Sequence, residues 1–598
     1  MNLNPELKMQ DTPFMADNKF FAINNETWGH KWGYRDTKFV LNDDMTVSMT
    51  GSRYELCGAR MPDFIPYIEE VLGIIINPEE TLPEVEEKPV NSSHINEEFF
   101  EKIKQTFPED RYSIKDKDRL LHSHGQTTSE EVYKILYNKI DRTADMVFYL
   151  ESEEETKQLI QFAIEFNVCL IPFGGGTSVS SALKIPEAES RMVVAVDLRR
   201  MDEVEWINEK DRRICVQAGI TGTELENRLA EKGFCVGHEP DSVELSTLGG
   251  WIATNASGMK KNKYGNIEDI VENVTMITPN GVIEQVSPLS RASIGFKPQN
   301  ILFGSEGNLG IITKAILKIH KLPEVKKYNS AVFNDWDAGV EFLYELSKTN
   351  FIPSSVRLVD NIQFRFGQAL KPKAEGIHKL IDSIKKFVLL NLKGFDGEKL
   401  CAVTFVMEGT SGEVSYQEKN TLSLAKRHGG MVGGPGNGKR GYMLTYAIAY
   451  VRDFLTKFHV IGETMETSVP WSKIPDVCKA ATQTLYDLHA KHNIPGKPYI
   501  SYRIPQIYHT GVCIYFMLGM SIKGIPNAED VFCEIEHAIR KAIMDHGGSI
   551  SHHHGVGKLR KDFMSDTLSD SSMKLIKDMK NSHDPANVFG IRNGIFAE

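Results

Sequence analysis

Three histidines stand in a row in "SHHHGVGKLRKDF", which begins at Ser551 and continues into a glycine pair and a run of basic side chains. Imidazoles can ligate a metal, donate to a phosphate when protonated, or decorate a surface loop, and the residues alone leave all three open. A strand sends successive side chains to opposite faces and a helix turns each by about 100°, so at most His552 and His554 converge from one regular element. A second chemical signal is "IPFGGGTSVSSAL", where an apolar run meets Gly174, Gly175, Gly176, Thr177 and Ser178. Glycines let an anion approach backbone N–H groups closely. The loop fits neither GxGxxG nor GxxxxGK(S/T), so it is neither a Rossmann turn nor a P-loop. Two further glycine-rich segments follow, "EPDSVELSTLGGWIATNASGMKKNKYGNIEDIV" and "FGSEGNLGIIT".

The elements that must position these groups follow from periodicity. Short β-rich runs, "DMVFYL", "CLIPFG" and "MVVAVDL", interleave with the helical pattern of "SEEETKQLIQFAIEFN" and predict an α+β domain over residues 139–322. Residues 1–138 are polar, with the acidic, proline-containing stretch "NPEETLPEVEEKPVNSS", and predict a peripheral segment of short helices. Over 323–526, "CAVTFVMEG" and "VCIYFMLGM" read as strands separated by long helices, and 527–598 reads as helical, broken by the histidine segment.

A chain of 598 residues exceeds a typical domain several-fold, so two or three domains are expected. Net charge of -11 disfavours nonspecific attraction to nucleic acid. The 8 cysteines never form a CxxC pair and read as reduced thiols, not as a disulfide frame or zinc cage. "MNLNPELKMQ" lacks the regions of a secretory signal, no apolar run reaches the roughly 18 residues of a spanning helix, and Phe596, Ala597 and Glu598 do not match an SKL-type address.

The three glycine segments in this order resemble the flavin domain of the vanillyl-alcohol-oxidase and D-lactate-dehydrogenase superfamily, also called the PCMH type. The resemblance implies FAD held between two α+β subdomains, followed by a cap domain with an antiparallel sheet and helices. Residue by residue, it places Pro172, Phe173, Gly174, Gly175, Gly176, Thr177 and Ser178 at the pyrophosphate. Asp241, Ser242, Val243, Glu244, Leu245, Ser246 and Thr247 lie alongside, with Thr254, Asn255, Ala256 and Ser257. Glu306, Gly307, Asn308, Leu309, Gly310, Ile311 and Ile312 flank the isoalloxazine and adenine. Gly176 stands where some relatives carry a tethering histidine, which implies noncovalent FAD.

Relatives that oxidise D-lactate or glycolate carry HxGDGNxH and SGEHG motifs that bind a divalent metal. Here the first becomes "HTGVCIYF", keeping His509 but placing Phe516 at the second histidine, and the second becomes "SHHHG", with His553 at the glutamate. The resemblance therefore implies no metal. The departures, with "SVRLVDNIQFRFGQALKP", "GYMLTYAIAYVRDF" and "GETMETSVPW", resemble the alkylglycerone-phosphate synthase family, also called alkyldihydroxyacetonephosphate synthases.

That resemblance implies a soluble FAD transferase that exchanges the acyl chain of acyl-dihydroxyacetone phosphate for a long-chain fatty alcohol, forming an ether without net redox change. N5 of the flavin displaces the carboxylate at C1, with the phosphate in a basic pocket and the chain in an apolar tunnel. Tyr515 matches the acid/base at C1; a free tyrosine titrates near about 10, so this role calls for cationic neighbours, which His552, His553 and His554 would supply. Arg357 matches an active-site support residue, and Arg452 one that faces the leaving carboxylate through a bidentate fork. Lys558, Arg560 and Lys561 read as a solvated basic face. The resemblance further implies a homodimer at the peroxisomal membrane surface. An FAD-dependent D-2-hydroxyacid dehydrogenase is the alternative, and a flavin-binding module without catalysis the third reading.

Overall fold

The computed structural model describes residues 26–84, 90–138, 140–372 and 395–597. The flavin half consists of two sheets. In the first, Met146–Tyr149 and Cys169–Phe173 pair in parallel with Val193–Asp197 between them, and Tyr112–Ser113 adds an antiparallel edge. Parallel strands need a crossover, and Glu153–Glu165 supplies it. Its start is set locally: the Ser152 side chain accepts the Glu155 N–H, and three glutamates in the first turn favour the positive end of the helix dipole. In the second sheet five antiparallel strands run in the order Gly281–Ile283, Val271–Thr278, Ile311–Lys318, Arg213–Gln217, Val204–Asn208.

Beyond these, seven strands form one antiparallel sheet in the order Met431–Val432, Val325–Phe333, Cys401–Gly409, Ser355–Val359, Tyr499–Ile507, Gly511–Ser521, Val460–Pro470. Helices Trp336–Ser347, Ser411–Arg427, Ile474–Lys491 and Ala528–Asp545 bury its other face. Helix Ile448–Lys457 leads into the edge strand Val460–Pro470.

The described parts of the two terminal segments depart from the expected peripheral and appended ones; residues 1–25 of the former lie outside the described residues. Three short strands, Phe39–Leu41, Val47–Met49 and Arg60–Met61, and helix Phe64–Leu72 share one apolar core with Leu225 and Trp251 of the flavin half and Tyr450 and Phe454 of the cap. The acidic stretch that suggested periphery is a short interruption, and the apolar residues on either side of it are what bind this segment to both halves. Near the other end, Val588 and Phe589 pack beneath the parallel sheet, and the Leu170 N–H donates to the Val588 carbonyl at 2.8 Å. The segment that follows helix Ala528–Asp545 thus returns to the flavin half and carries the histidine loop with it.

Candidate active site

A cavity of about 360 Å³ lies between the flavin sheets and the cap. One wall is the loop 172–178, which leaves the C-terminal end of strand Cys169–Phe173. Its glycines are dictated by crowding: a Cβ at Gly175 would overlap the Leu245 carbonyl, and Gly176 takes φ +68°, a left-handed value that a side chain resists. The result is a strip of bare backbone facing the cavity, which Asp241, Ser242, Ser246, Thr247, Thr254, Ala256 and Ser257 also line, as do Glu306, Gly307, Gly310 and Ile312. A cradle that no side chain can fill, with hydroxyls on its rim, fits the pyrophosphate and ring of FAD.

Seven residues expected at the flavin do not line the cavity. Val243 and Leu245 turn into the apolar core, as do Leu309 and Ile311. The Glu244 carboxylate accepts the Tyr54 hydroxyl at 2.9 Å; burial pushes its carboxyl up to about 7. Asn255 is the left-handed cap of helix Leu248–Thr254, and Asn308 exchanges hydrogen bonds with Asn593. Each turns away from a cavity that its neighbours in the same segment line, and the motif by itself did not distinguish the two directions.

Glu306 turns to the histidine loop, accepting the N–H groups of Val556 and Gly557. Arg560 lies with 1% of its surface exposed and donates to the carbonyls of Gly555 and Val179. It is therefore not part of a solvated basic face: it fastens the histidine loop to the flavin loop. Lys558 is also withdrawn, donating to the Asn593 side chain at 2.7 Å, and burial pushes its ammonium down to about 7.

The histidine loop is irregular, and it escapes the limit that a regular element would impose. Glu466, fully buried on the edge strand, accepts the N–H groups of His552, His553 and His554 and the hydroxyl of Ser551. Burial works against its charge, but the positive charge that the three histidines take up only in acid, together with Arg560, holds its carboxyl well below the ordinary range. This anchor turns His553 and His554 together onto Tyr515, whose hydroxyl lies 2.6 Å and 3.1 Å from their Nε2 atoms. The pair that converges is thus 553 and 554, not 552 and 554. His552 instead faces Tyr508, with Nε2 to Oη at 2.6 Å, and its Nδ1 lies 2.7 Å from Nδ1 of His553. Ligand atoms of Glu466, Cys513, His552 and His553 lie within 4.8 Å of one another, but both Glu466 oxygens are already occupied by donors and the facing imidazole nitrogens by each other.

The histidines are not the cations that Tyr515 was expected to need. Burial pushes His552 down to about 3 and lowers His553 and His554 as well, so all three are neutral near pH 7. Burial, reinforced by Asp241, holds the Tyr515 hydroxyl well above its ordinary range. The cation beside it is Arg503, whose guanidinium lies 4.3 Å from the ring centre. Arg503 and Arg357 share one carboxylate, Asp241, each at 3.2 Å. Arg357 also donates to the Thr445 hydroxyl.

Arg452 lines the cavity, on the helix that also offers Ile448, Val451 and Leu455 to it. Its fork does not face an open space. Nε and Nη2 both donate to Asp453, Nη1 donates to the Thr127 carbonyl and Nη2 to that of Gln126, so four of its five N–H groups are engaged. The free bidentate fork expected for a leaving carboxylate is absent in this arrangement. Gln126 in turn donates its backbone N–H to Gly176 at 2.8 Å, which ties Arg452 to the flavin loop. Sequence reasoning missed both Arg503 and the 126–127 segment. For Arg503 the alternation of "YISYRIPQI" was the available signal; the polar run "HSHGQTT" offered none that pointed to a flavin.

Residues 144–287 match the FAD binding domain family, and residues 322–591 the family of C-terminal domains of FAD-linked oxidases. The chain is 41% identical over 567 residues to the alkyldihydroxyacetonephosphate synthase of Caenorhabditis elegans, covering 94% of each. It is 29% identical to that of Dictyostelium discoideum, covering 93% of this chain and 92% of the relative. A solved structure of an alkyldihydroxyacetonephosphate synthase superposes with a TM-score of 0.81 at 26% identity, over 94% of this chain and 98% of that one. FAD is accordingly the cofactor that the glycine cradle accommodates. The likeness extends through flavin half, cap and histidine loop alike, and the chain belongs to the alkyldihydroxyacetonephosphate synthase family.

Proposed function

We infer that this chain exchanges the acyl ester of an acyl-dihydroxyacetone phosphate for a fatty-alcohol ether, using FAD without net redox change. Tyr515 carries the reading. Its hydroxyl meets two neutral imidazoles at the cavity wall, while Phe516 turns into the cap core, fully buried. Adjacent residues of a strand face opposite ways, so Gly511–Ser521 offers the cavity a phenol and withdraws the position where a metal-dependent hydroxyacid dehydrogenase carries histidine. This observation counts against the dehydrogenase.

The loop 172–178, with Ser246, Thr247 and Gly307, is suited to hold FAD. When bound, FAD supplies the nucleophilic catalysis that divides one substitution into two. The chain's own groups bind, orient and move protons. Tyr515 rests as a neutral phenol; it hands its proton to an imidazole before taking one from C1, and reverses the transfer afterwards. Arg357 and Arg503 share a single carboxylate, and the guanidinium charge left uncompensated is suited to the substrate phosphate. The apolar side of the cavity, including Ile68, Leu72, Phe366, Val451 and Leu455, is suited to the chains.

The same reading extends to a homodimer at the peroxisomal membrane surface; the poor solubility of long-chain substrates supports the contact with a membrane, and family resemblance alone the rest. No helix among the described residues is long and apolar enough to cross a membrane. Cell fractionation and sedimentation test these points. The reaction itself is tested by incubating purified protein with palmitoyl-dihydroxyacetone phosphate and labelled hexadecanol. Labelled ether is expected; chelator-sensitive oxidation of D-lactate without ether would establish the dehydrogenase, and bound flavin with neither activity the non-catalytic module.

A further inference from the structure

We propose that His552 and Tyr508 form the outer half of a proton relay that carries the proton released by ether formation from Tyr515 to solvent. The proposal rests on the synthase reading above. The links are continuous: Tyr515 Oη to His553 Nε2 at 2.6 Å, His553 Nδ1 to His552 Nδ1 at 2.7 Å, and His552 Nε2 to Tyr508 Oη at 2.6 Å. Each imidazole uses both ring nitrogens within the chain. A neutral imidazole has one N–H and one acceptor, and a single assignment satisfies every link. Tyr515 donates to His553, the Nδ1–H of His553 donates to His552, and the Nε2–H of His552 donates to Tyr508.

The array also has a direction in space. Tyr515 is buried at the cavity wall, with 6% of its surface exposed, whereas Tyr508 is half-buried and is followed by the exposed His509 and Thr510. The charged groups around the path hold it without interrupting it. Glu466 is saturated by the N–H groups of the loop, Arg503 lies over the Tyr515 ring, and the Lys261 ammonium lies 3.5 Å from the centre of the Tyr508 ring. Burial makes each imidazole a poor place for a proton to rest, which favours onward transfer over storage.

The reaction requires such an exit. The bond from C1 to the acyl oxygen breaks, and its electron pair leaves with the carboxylate; a bond from C1 to the alcohol oxygen forms. No electrons are gained or lost, and the C1 proton taken is returned. The alcohol proton is left over, and because a fatty acid is ionised near neutral pH, one proton per turnover must reach solvent.

Tyr508→Phe keeps the ring and removes the last oxygen, and His552→Gln keeps a polar side chain that cannot relay. For each holoenzyme, with FAD content checked by absorbance, turnover should fall about 10-fold or more. Proton release, followed with an indicator dye in weak buffer, should lag ether formation; the solvent isotope effect should rise, and added imidazole should restore the rate. Wild-type turnover with one proton released in step with each ether in both variants would overturn the relay. So would a loss that imidazole does not relieve and that leaves the isotope effect unchanged, since that is the signature of a structural role. If wild-type protein forms no ether, the synthase reading falls and takes the relay with it; ether from wild type with unaffected variants removes the relay alone.

Discussion

Tyr515 and His553, on a cap strand and an irregular loop, share a 2.6 Å hydrogen bond in which a phenol held well above its ordinary range faces an imidazole held below its own. Both are neutral, and the proton between them belongs to the phenol until substrate arrives.

Tyr515→Phe should therefore bind FAD normally and lose ether formation by about 10²-fold or more, the scale of a missing general acid/base. Single-turnover measurement with acyl substrate is the check. A rate within a few-fold of wild type would remove Tyr515 from the chemistry.

Arg452→Lys should weaken flavin retention as well as activity. Lysine keeps the charge but cannot hold Asp453 and the carbonyls of Gln126 and Thr127 together, and Gln126 braces Gly176. A loss of one or two charge-assisted bonds predicts an FAD dissociation constant raised about 10-fold or more, read from flavin fluorescence on dilution. Unchanged retention with slower loss of oxidised-flavin absorbance on mixing would instead assign Arg452 to the leaving carboxylate.

Arg503→Met should erode the preference for a phosphorylated substrate. The ratio of kcat/KM for palmitoyl-dihydroxyacetone phosphate over palmitoyl-dihydroxyacetone should fall by about 10-fold or more, because one of the two guanidiniums on Asp241 is gone. An unchanged ratio would place the phosphate elsewhere.

FAD should separate from the polypeptide on denaturation and filtration, since Gly176 stands where a tethering histidine would be. Flavin retained by the unfolded chain would refute this.

Acid should destabilise the protein through its histidines. An unfolded histidine titrates near about 6.5, whereas folded His552 titrates at about 3 and His553 and His554 are also lowered. Below about pH 6.5 the unfolded chain binds protons that the folded chain refuses, so this stability is complete above that pH and declines as pH falls toward about 3. Glu466 acts lower: its depressed carboxyl contributes above about pH 4.5 and loses its effect as pH falls through the folded value. Between about pH 7 and pH 5, Tm should fall less steeply for His552→Asn than for wild type. Parallel slopes would mean that the imidazole is not the titrating group.

Local patterns carried much of this protein. Alternation and apolar runs placed strands Met146–Tyr149, Cys169–Phe173, Val193–Asp197 and Cys401–Gly409 and helix Glu153–Glu165, because side-chain period is a property of neighbours in sequence. Three glycine loops carried the resemblance to a flavin-binding superfamily, and at Gly175 the crowding that excludes a side chain is a property of the fold. What the tertiary structure decided lies between residues far apart. Glu466 selects which histidines converge from 86 to 88 positions away, and the carbonyls that fill the Arg452 fork lie 325 and 326 positions away. Protonation was decided there too: a string of letters shows three basic residues, but whether they are cations depends on how much water folding removes, and here burial leaves them neutral.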